Sequence, residues 1–120
     1  EKKIGVITYS SLARGLLTGK YKGNEKFQDS RANHPRFTGE NFKKICISIN
    51  NVLMPIAEKM DITVAELALR WILTHPAVTS AIVGIKKPEH IETVIRAADD
   101  ILETRLWHSI ASKMSSAYDK

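Results

Sequence analysis

The stretch AIVGIKKPEH, Ala81 to His90, decides how the chain is read. An apolar, β-branched run ends at Gly84, two lysines follow, and Pro88 stands just ahead of two glutamates. A short apolar run closed by a glycine is the pattern of a strand buried on both faces. Proline suits the first turn of a helix, and Ile91, Val94, Ile95 and Ala98 then fall at helical spacing as one apolar stripe. The run VTSAIVG is therefore expected to be a strand that passes, through a short basic loop, into a helix.

Upstream, TVAELALRWILTH carries a capping pattern in Thr63 and Glu66, each able to satisfy a free amide at a helix start. That helix is expected to run to His75 and stop at Pro76. Phe42, Ile45, Cys46, Ile49, Val52, Leu53, Ile56 and Ala57 repeat at three and four, which predicts an amphipathic helix over 41–60. Pro55 must kink or split it, because a proline inside a helix loses a hydrogen bond and clashes with the preceding turn. IGVITYS, Ile4 to Ser10, reads as another buried strand, and residues 11–39 as a long loop, a length that is usually functional or disordered. A last helix holds Leu106, Trp107, Ile110 and Met114.

Strands alternating with helices imply a parallel sheet faced by helices. Two such strands leave edges unpaired, so the remainder of the sheet has to come from elsewhere. The chain opens on Glu1 rather than Met, and we expect a piece of a larger α/β domain.

With 120 residues, 43% of them hydrophobic, there is material for one modest domain. Charge is lopsided: residues 1–60 carry eleven Lys/Arg against five Asp/Glu, and residues 61–120 carry seven against eight. An anionic partner should therefore meet the first half and the few lysines of the second. Lone Cys46 has no partner for an internal disulfide and reads as a small core residue of a reducing compartment, the cytoplasm. No apolar run approaches the roughly 20 residues of a bilayer span, and EKKIGVITYS has no signal-peptide pattern.

In parallel sheets ligands gather at the carboxyl ends of strands, where loops lead into helix N-termini. Lys86 and Lys87 occupy that place after the second strand, beside the free amides and positive dipole end of the next helix, with Gly84 letting a ligand approach the backbone. Together these describe an anion site, and a phosphate is the commonest anion to need one; on spacing alone, two solvated surface lysines explain the pair equally well. At the tip of the first strand TYSSLARGLLTGKY offers Tyr9 to stack on a ring, and Ser10, Leu12, Arg14, Gly15 and Lys20 to hold phosphate oxygens. Gly15, Gly19 and Lys20 imitate a P-loop, but the spacing is one residue short and Tyr21 stands where the metal-binding Ser/Thr belongs.

YSSLARGLLTGKY, SRANHPRF, TVAELALRWIL and IVGIKKPEHIE, in that order, resemble successive motifs of the carboxyl-terminal part of the aldo-keto reductases, particularly the bacterial and potassium-channel β-subunit-like branch. The resemblance covers nearly the whole chain. It implies an eight-stranded (β/α) barrel, a TIM barrel, of which residues 1–120 would form a single incomplete domain with the last two strands and the long cofactor-covering loop. It also implies an oxidoreductase that reduces aldehydes and ketones with NADPH. By resemblance Tyr9 stacks on nicotinamide, Ser10, Leu12, Arg14 and Gly15 wrap the pyrophosphate, and Lys20 and Arg31 reach cofactor phosphates. Gly84, Lys86 and Lys87 would grip the adenosine end, a lysine favouring the 2′-phosphate of NADPH (NADP), with His90 near that phosphate and the adenine.

Three departures stand out. Thr93 and Val94 replace the common Glu-Asn that contacts the adenosine, and Ser11 replaces a common proline. No stretch matches the motifs of the family's Asp, Tyr, Lys and His catalytic group, so this chain alone is expected not to reduce a carbonyl. The alternative is a non-catalytic nucleotide-binding or regulatory module.

Other function classes fare worse. Histidines 34, 75, 90 and 108 show no paired spacing for a metal. Trp71 reads as core, and the cations follow no nucleic-acid motif. The expected partners are a nicotinamide dinucleotide and a small carbonyl substrate, with no nucleic acid and no membrane; unpaired strand edges also predict self-association.

Overall fold

The computed structural model describes residues 3–118, Tyr118 by its backbone alone. Two short strands, β1 (Val6–Thr8) and β2 (Val78–Ala81), pair in parallel with Val6 opposite Val78, Ile7 opposite Ser80 and Thr8 opposite Ala81. Parallel neighbours need a crossover, and here it consists of the long loop and the helices α1 (Gly39–Ser48), α2 (Met54–Lys59) and α3 (Val64–Thr74). After β2 come α4 (His90–Asp99) and α5 (Thr104–Tyr118).

The core lies among the helices. Phe42 and Cys46 of α1, Ile49 and Leu53, Val64 and Leu67 of α3, Leu102 and Ile110 form one buried cluster. Burial pushes the Cys46 thiol up to about 11, as expected of an inert core cysteine. Trp71 stacks on Trp107 at 5.3 Å, and each indole N–H donates to the other residue's carbonyl, at 3.0 and 2.8 Å. Among the described residues no helix is long and apolar enough to cross a membrane.

Pro55 splits its helix, as its chemistry requires. Residues Ile49–Leu53 form a π-helical turn, after which Pro55 sits in the first turn of α2. The wider turn removes the need for the proline's missing N–H and relieves its ring from the preceding carbonyls.

Several expectations need correcting. Neither strand is buried on both faces: Ile4 is 73% exposed, Ile7 64% and Ile82 59%. Helix α3 packs on β2, and no further strand flanks the pair among the described residues, so the apolar side chains made for a continuous sheet face outward. The stripe foreseen on α4 is likewise displaced. Ile91, Ile95 and Ala98 are exposed, and Ala97 is the buried residue of the helix.

The capping pattern at Thr63 is only half used. Its hydroxyl accepts from the Glu66 amide at 3.1 Å, but the Glu66 carboxylate does not reach back. Fully buried, it accepts from Arg70 Nη2 at 2.8 Å and from Arg96 Nε at 3.1 Å, while Arg70 Nη1 donates to Asp100 at 2.5 Å. A buried carboxylate needs charged partners more than a helix start needs a second cap. The network ties α3 to α4.

Candidate functional site

The two strand tips are stitched together. Ile82 N donates to Thr8 O at 2.8 Å, and Ser11 Oγ donates to Ile82 O at 3.1 Å, with the hydroxyl of Thr8 3.4 Å from that of Ser11. Ser11, which stands where the resembled family commonly has proline, is therefore a latch between the loops that follow β1 and β2. Nothing in the sequence pattern marked it, because its partner lies 71 residues away.

Beyond the latch the backbone is contorted. Ser10, Ala13 and Arg14 have φ of 54°, 48° and 56°, and Gly15 continues at 96°. Left-handed geometry at three non-glycine residues costs on the order of 1 kcal/mol or more each, and such outliers cluster at functional sites. Ala13 N donates to Ser10 O at 2.7 Å, and Gly15 N to Leu12 O at 2.9 Å. Thr18 Oγ1 reaches Gly15 O at 2.6 Å, closing a tight turn. Residues 19–38 contain no α-helix or strand, matching the expected loop, yet they are organised: Tyr21, Phe27, Phe37 and Phe42 pack edge to face, and Glu25 accepts from the Lys22 and Gly23 amides.

Between the two tips lies a cavity of about 650 Å³. Ser10, Leu12, Arg14, Gly15, Lys20, Arg31, Gly84, Lys86 and His90, drawn from three separate stretches of sequence, all line it. Gly84 has no positive φ, and a Cβ there would meet no protein atom within 4 Å, so the fold itself makes no demand for glycine at this position. What a side chain there would obstruct is the cavity.

Tyr9 and Lys87 do not line this cavity. Tyr9, 82% exposed, borders a second one of about 370 Å³ with Ser10, Ala13, Arg14, His34, Arg36 and Phe37. Lys87 is exposed, and its carbonyl accepts from His90 N at 3.1 Å, just as Pro88 O accepts from Ile91 N at 3.0 Å. Helix α4 thus begins two residues after Pro88, and two amides expected to be free are already engaged by that turn.

Arg31 is also more committed than its sequence context implied. Its Nε and Nη2 donate to Asp29, at 2.9–3.1 Å and 2.5 Å, its Nη1 donates to Tyr21 Oη at 2.7 Å, and the guanidinium lies 4.3 Å from the Phe27 ring centre. The hydrogen bonds from Arg31 hold the Asp29 carboxyl well below the usual carboxylate range, with a smaller pull from Lys86 across the cavity. Asp29 was not foreseen, although an Asp two residues before an Arg is a legible local turn: it accepts the Arg31 amide at 3.0 Å. Tyr21 Oη is turned to Arg31 and away from solvent. Among the described residues no three His, Cys, Asp or Glu side chains gather as a metal site.

The sequence profile of the Aldo/keto reductase family matches residues 1–114. The chain belongs to that family. Over 106 residues it is 36% identical to a probable voltage-gated potassium channel subunit beta of Arabidopsis thaliana, covering 82% of this chain and 31% of that protein. Over 94 residues it is 34% identical to the aldo-keto reductase yakc [NADP(+)] of Schizosaccharomyces pombe, covering 77% of this chain and 27% of that one. The glycerol dehydrogenase AKR11B4 of Gluconobacter oxydans superposes with a TM-score of 0.82 at 28% identity, covering 94% of this chain and 35% of that structure. The chain spans about a third of the length of these relatives. Its fold is the carboxyl-terminal portion of an aldo-keto reductase (β/α)8 barrel, two strands with their helices and the long loop. In such a barrel the outward-facing side chains of β1 and β2 are the ones that meet neighbouring strands and helices.

Proposed function

We propose that residues 1–120 form one incomplete barrel domain whose 650 Å³ cavity holds NADPH for an oxidoreductase that reduces aldehydes or ketones. The observation that supports this best is the convergence of Arg14, Lys20 and Lys86 with a strained loop at the carboxyl ends of two parallel strands. A phosphorylated dinucleotide is elongated, flat at both ends and anionic between, and the site offers what such a shape needs. Arg14 and the turn from Ser10 to Gly15 would hold the pyrophosphate, with Leu12 as part of the same wall. Lys20 would close over it from the loop, and Tyr9 offers a ring face at the open end for nicotinamide.

At the far end Lys86 and His90 would meet the 2′-phosphate, with Gly84 leaving room for the ribose. One relative carries NADP(+) in its name, in keeping with that choice. Arg31 belongs to this site through the long loop, its charge largely answered by Asp29. Lys87 would add to the local positive potential from outside the cavity. Thr93 and Val94 leave the adenine without the Glu-Asn contacts expected of the family.

When bound, the dinucleotide supplies a hydride to the carbonyl carbon, and the oxygen then takes a proton. This chain's residues bind and orient, and we assign the proton to the family's catalytic group, whose motifs no stretch of this chain matches. That assignment also favours a second reading, a nucleotide-binding regulatory module that binds NADPH without turnover, and one relative is named as a probable channel subunit. Under either reading the place of action is the cytoplasm, and exposed Ile4, Ile7 and Ile82 make self-association of the separate chain expected.

Titration of NADPH and NADH by fluorescence tests the cofactor assignment. Lys86→Ala should weaken NADPH about tenfold or more, as the loss of one charge-assisted contact implies, and NADH less than threefold. Equal losses would remove the 2′-phosphate from Lys86.

A further inference from the structure

The smaller cavity beside Tyr9 is not accounted for by the dinucleotide. It measures about 370 Å³, within the range of small-molecule sites, and shares Ser10 and Arg14 with the larger one as a dividing ridge. A nicotinamide laid on Tyr9 would have this cavity alongside. Its lining is mixed, with buried Phe37 and the Tyr9 ring beside Ser10 and His34, and it carries two guanidinium groups, Arg14 and Arg36.

Among the described residues Arg31, Arg70 and Arg96 each lie against a carboxylate, whereas Arg14, Arg36 and Arg105 form no ion pair, and of these three Arg14 and Arg36 line this cavity. No acidic side chain lines the smaller cavity, while Asp29 lines the larger. The backbone under exposed Arg36 is fixed: its amide donates to His34 Nδ1 at 3.2 Å, and Phe37 N to His34 O at 2.8 Å. Accepting at Nδ1 leaves Nε2 as the ring nitrogen that carries hydrogen, a third donor on the same wall.

We propose that this cavity binds the anionic end of the carbonyl substrate, so that the preferred substrates are short aldehydes or ketones bearing a carboxylate or a phosphate, with Arg36 as the specificity-determining residue. The aldehyde or ketone carbon then lies toward Tyr9 and the anion toward Arg36, whose guanidinium can pair bidentately with a planar carboxylate, while Arg14 stays with the pyrophosphate. This assignment rests on the NADPH reading for its orientation, and on unpaired Arg36 for its chemistry.

The test is a titration of the 120-residue chain, followed through the amide resonances of Arg36, Phe37 and Tyr9, with and without saturating NADPH. The probes are 4-carboxybenzaldehyde, 4-formylphenyl phosphate and uncharged benzaldehyde. The charged probes should bind at least about tenfold more tightly than benzaldehyde, the better of the two identifying the anion. Arg36→Gln should abolish most of that preference and leave benzaldehyde and NADPH affinities unchanged, and Arg36→Lys should restore part of it. Equal binding of all three probes, or a preference untouched by Arg36→Gln, would overturn the proposal. Competition between NADPH and the charged probes would overturn it too, by giving the cavity to the cofactor's own phosphates. A preference that survives when NADPH itself fails to bind would leave the anion site standing and remove the dinucleotide reading instead.

Discussion

The helical layer and the strand tips of this chain are built on opposite terms. Leu67 at the centre of α3 is 0% exposed and surrounded by Ile49, Leu53 and Val64, while the side chains of β1 point largely into solvent. The helices hold their charges in pairs, with Glu66 buried between Arg70 and Arg96. At the tips Arg14, Lys86 and Arg36 form no ion pair among the described residues, and Arg14 itself sits in strained left-handed backbone. Stability is concentrated where side chains are satisfied, and binding capacity where they are not. The lesson is that the two properties can be altered separately.

The sharpest way to break this contrast is a pair of truncations. Leu67→Ala empties a site with no solvent access and should cost about 3–5 kcal/mol, read by denaturant titration. Ile7→Ala, the same kind of deletion on an exposed strand, measured at dilutions where the chain is monomeric, should change stability by less than about 0.5 kcal/mol. Comparable losses at both sites would mean that β1 is covered in solution, and the contrast between the regions would fail.

A smaller effect sharpens the comparison at the seam between them. Ser11→Ala removes the hydroxyl that donates to Ile82 O, leaving that carbonyl without this partner. The expected cost is about 1 kcal/mol, accompanied by faster hydrogen exchange at the Ile82 amide and not at amides of α3. Uniform acceleration throughout would show that the latch serves the whole fold, not the tips alone.

How much of this was legible in the sequence follows the same division. Local rules read well: Thr63 caps α3, Pro55 divides its helix, Cys46 is core, and the two apolar runs pair in parallel. The family motifs carried the barrel assignment, which composition and periodicity had only narrowed to a parallel sheet faced by helices. What escaped depends on partners far along the chain. Glu66 fits a capping pattern until Arg96, thirty residues on, claims its carboxylate, and Ser11 resembles a neutral replacement until Ile82 O is found above it. The stripe Ile91, Ile95 and Ala98 obeyed its period, but it faces outward and Ala97 is the buried residue, next to Arg96 that pairs with Glu66. For the site, charge, position and the family resemblance together named nine residues that line the cavity, while Tyr9 and Lys87 fall outside it. They could not tell that Arg31 is answered by Asp29, or that the Lys87 carbonyl is spent on the turn ahead of α4.

The most direct measurement for the central claim is a backbone amide map of the chain titrated with NADPH. If a phosphorylated dinucleotide lies across both strand tips, the amides of Arg14, Gly15, Gly84 and Lys86 should shift together along one binding curve, with those of α5 unmoved. Shifts confined to one tip, or scattered over the helices with no saturation, would contradict it.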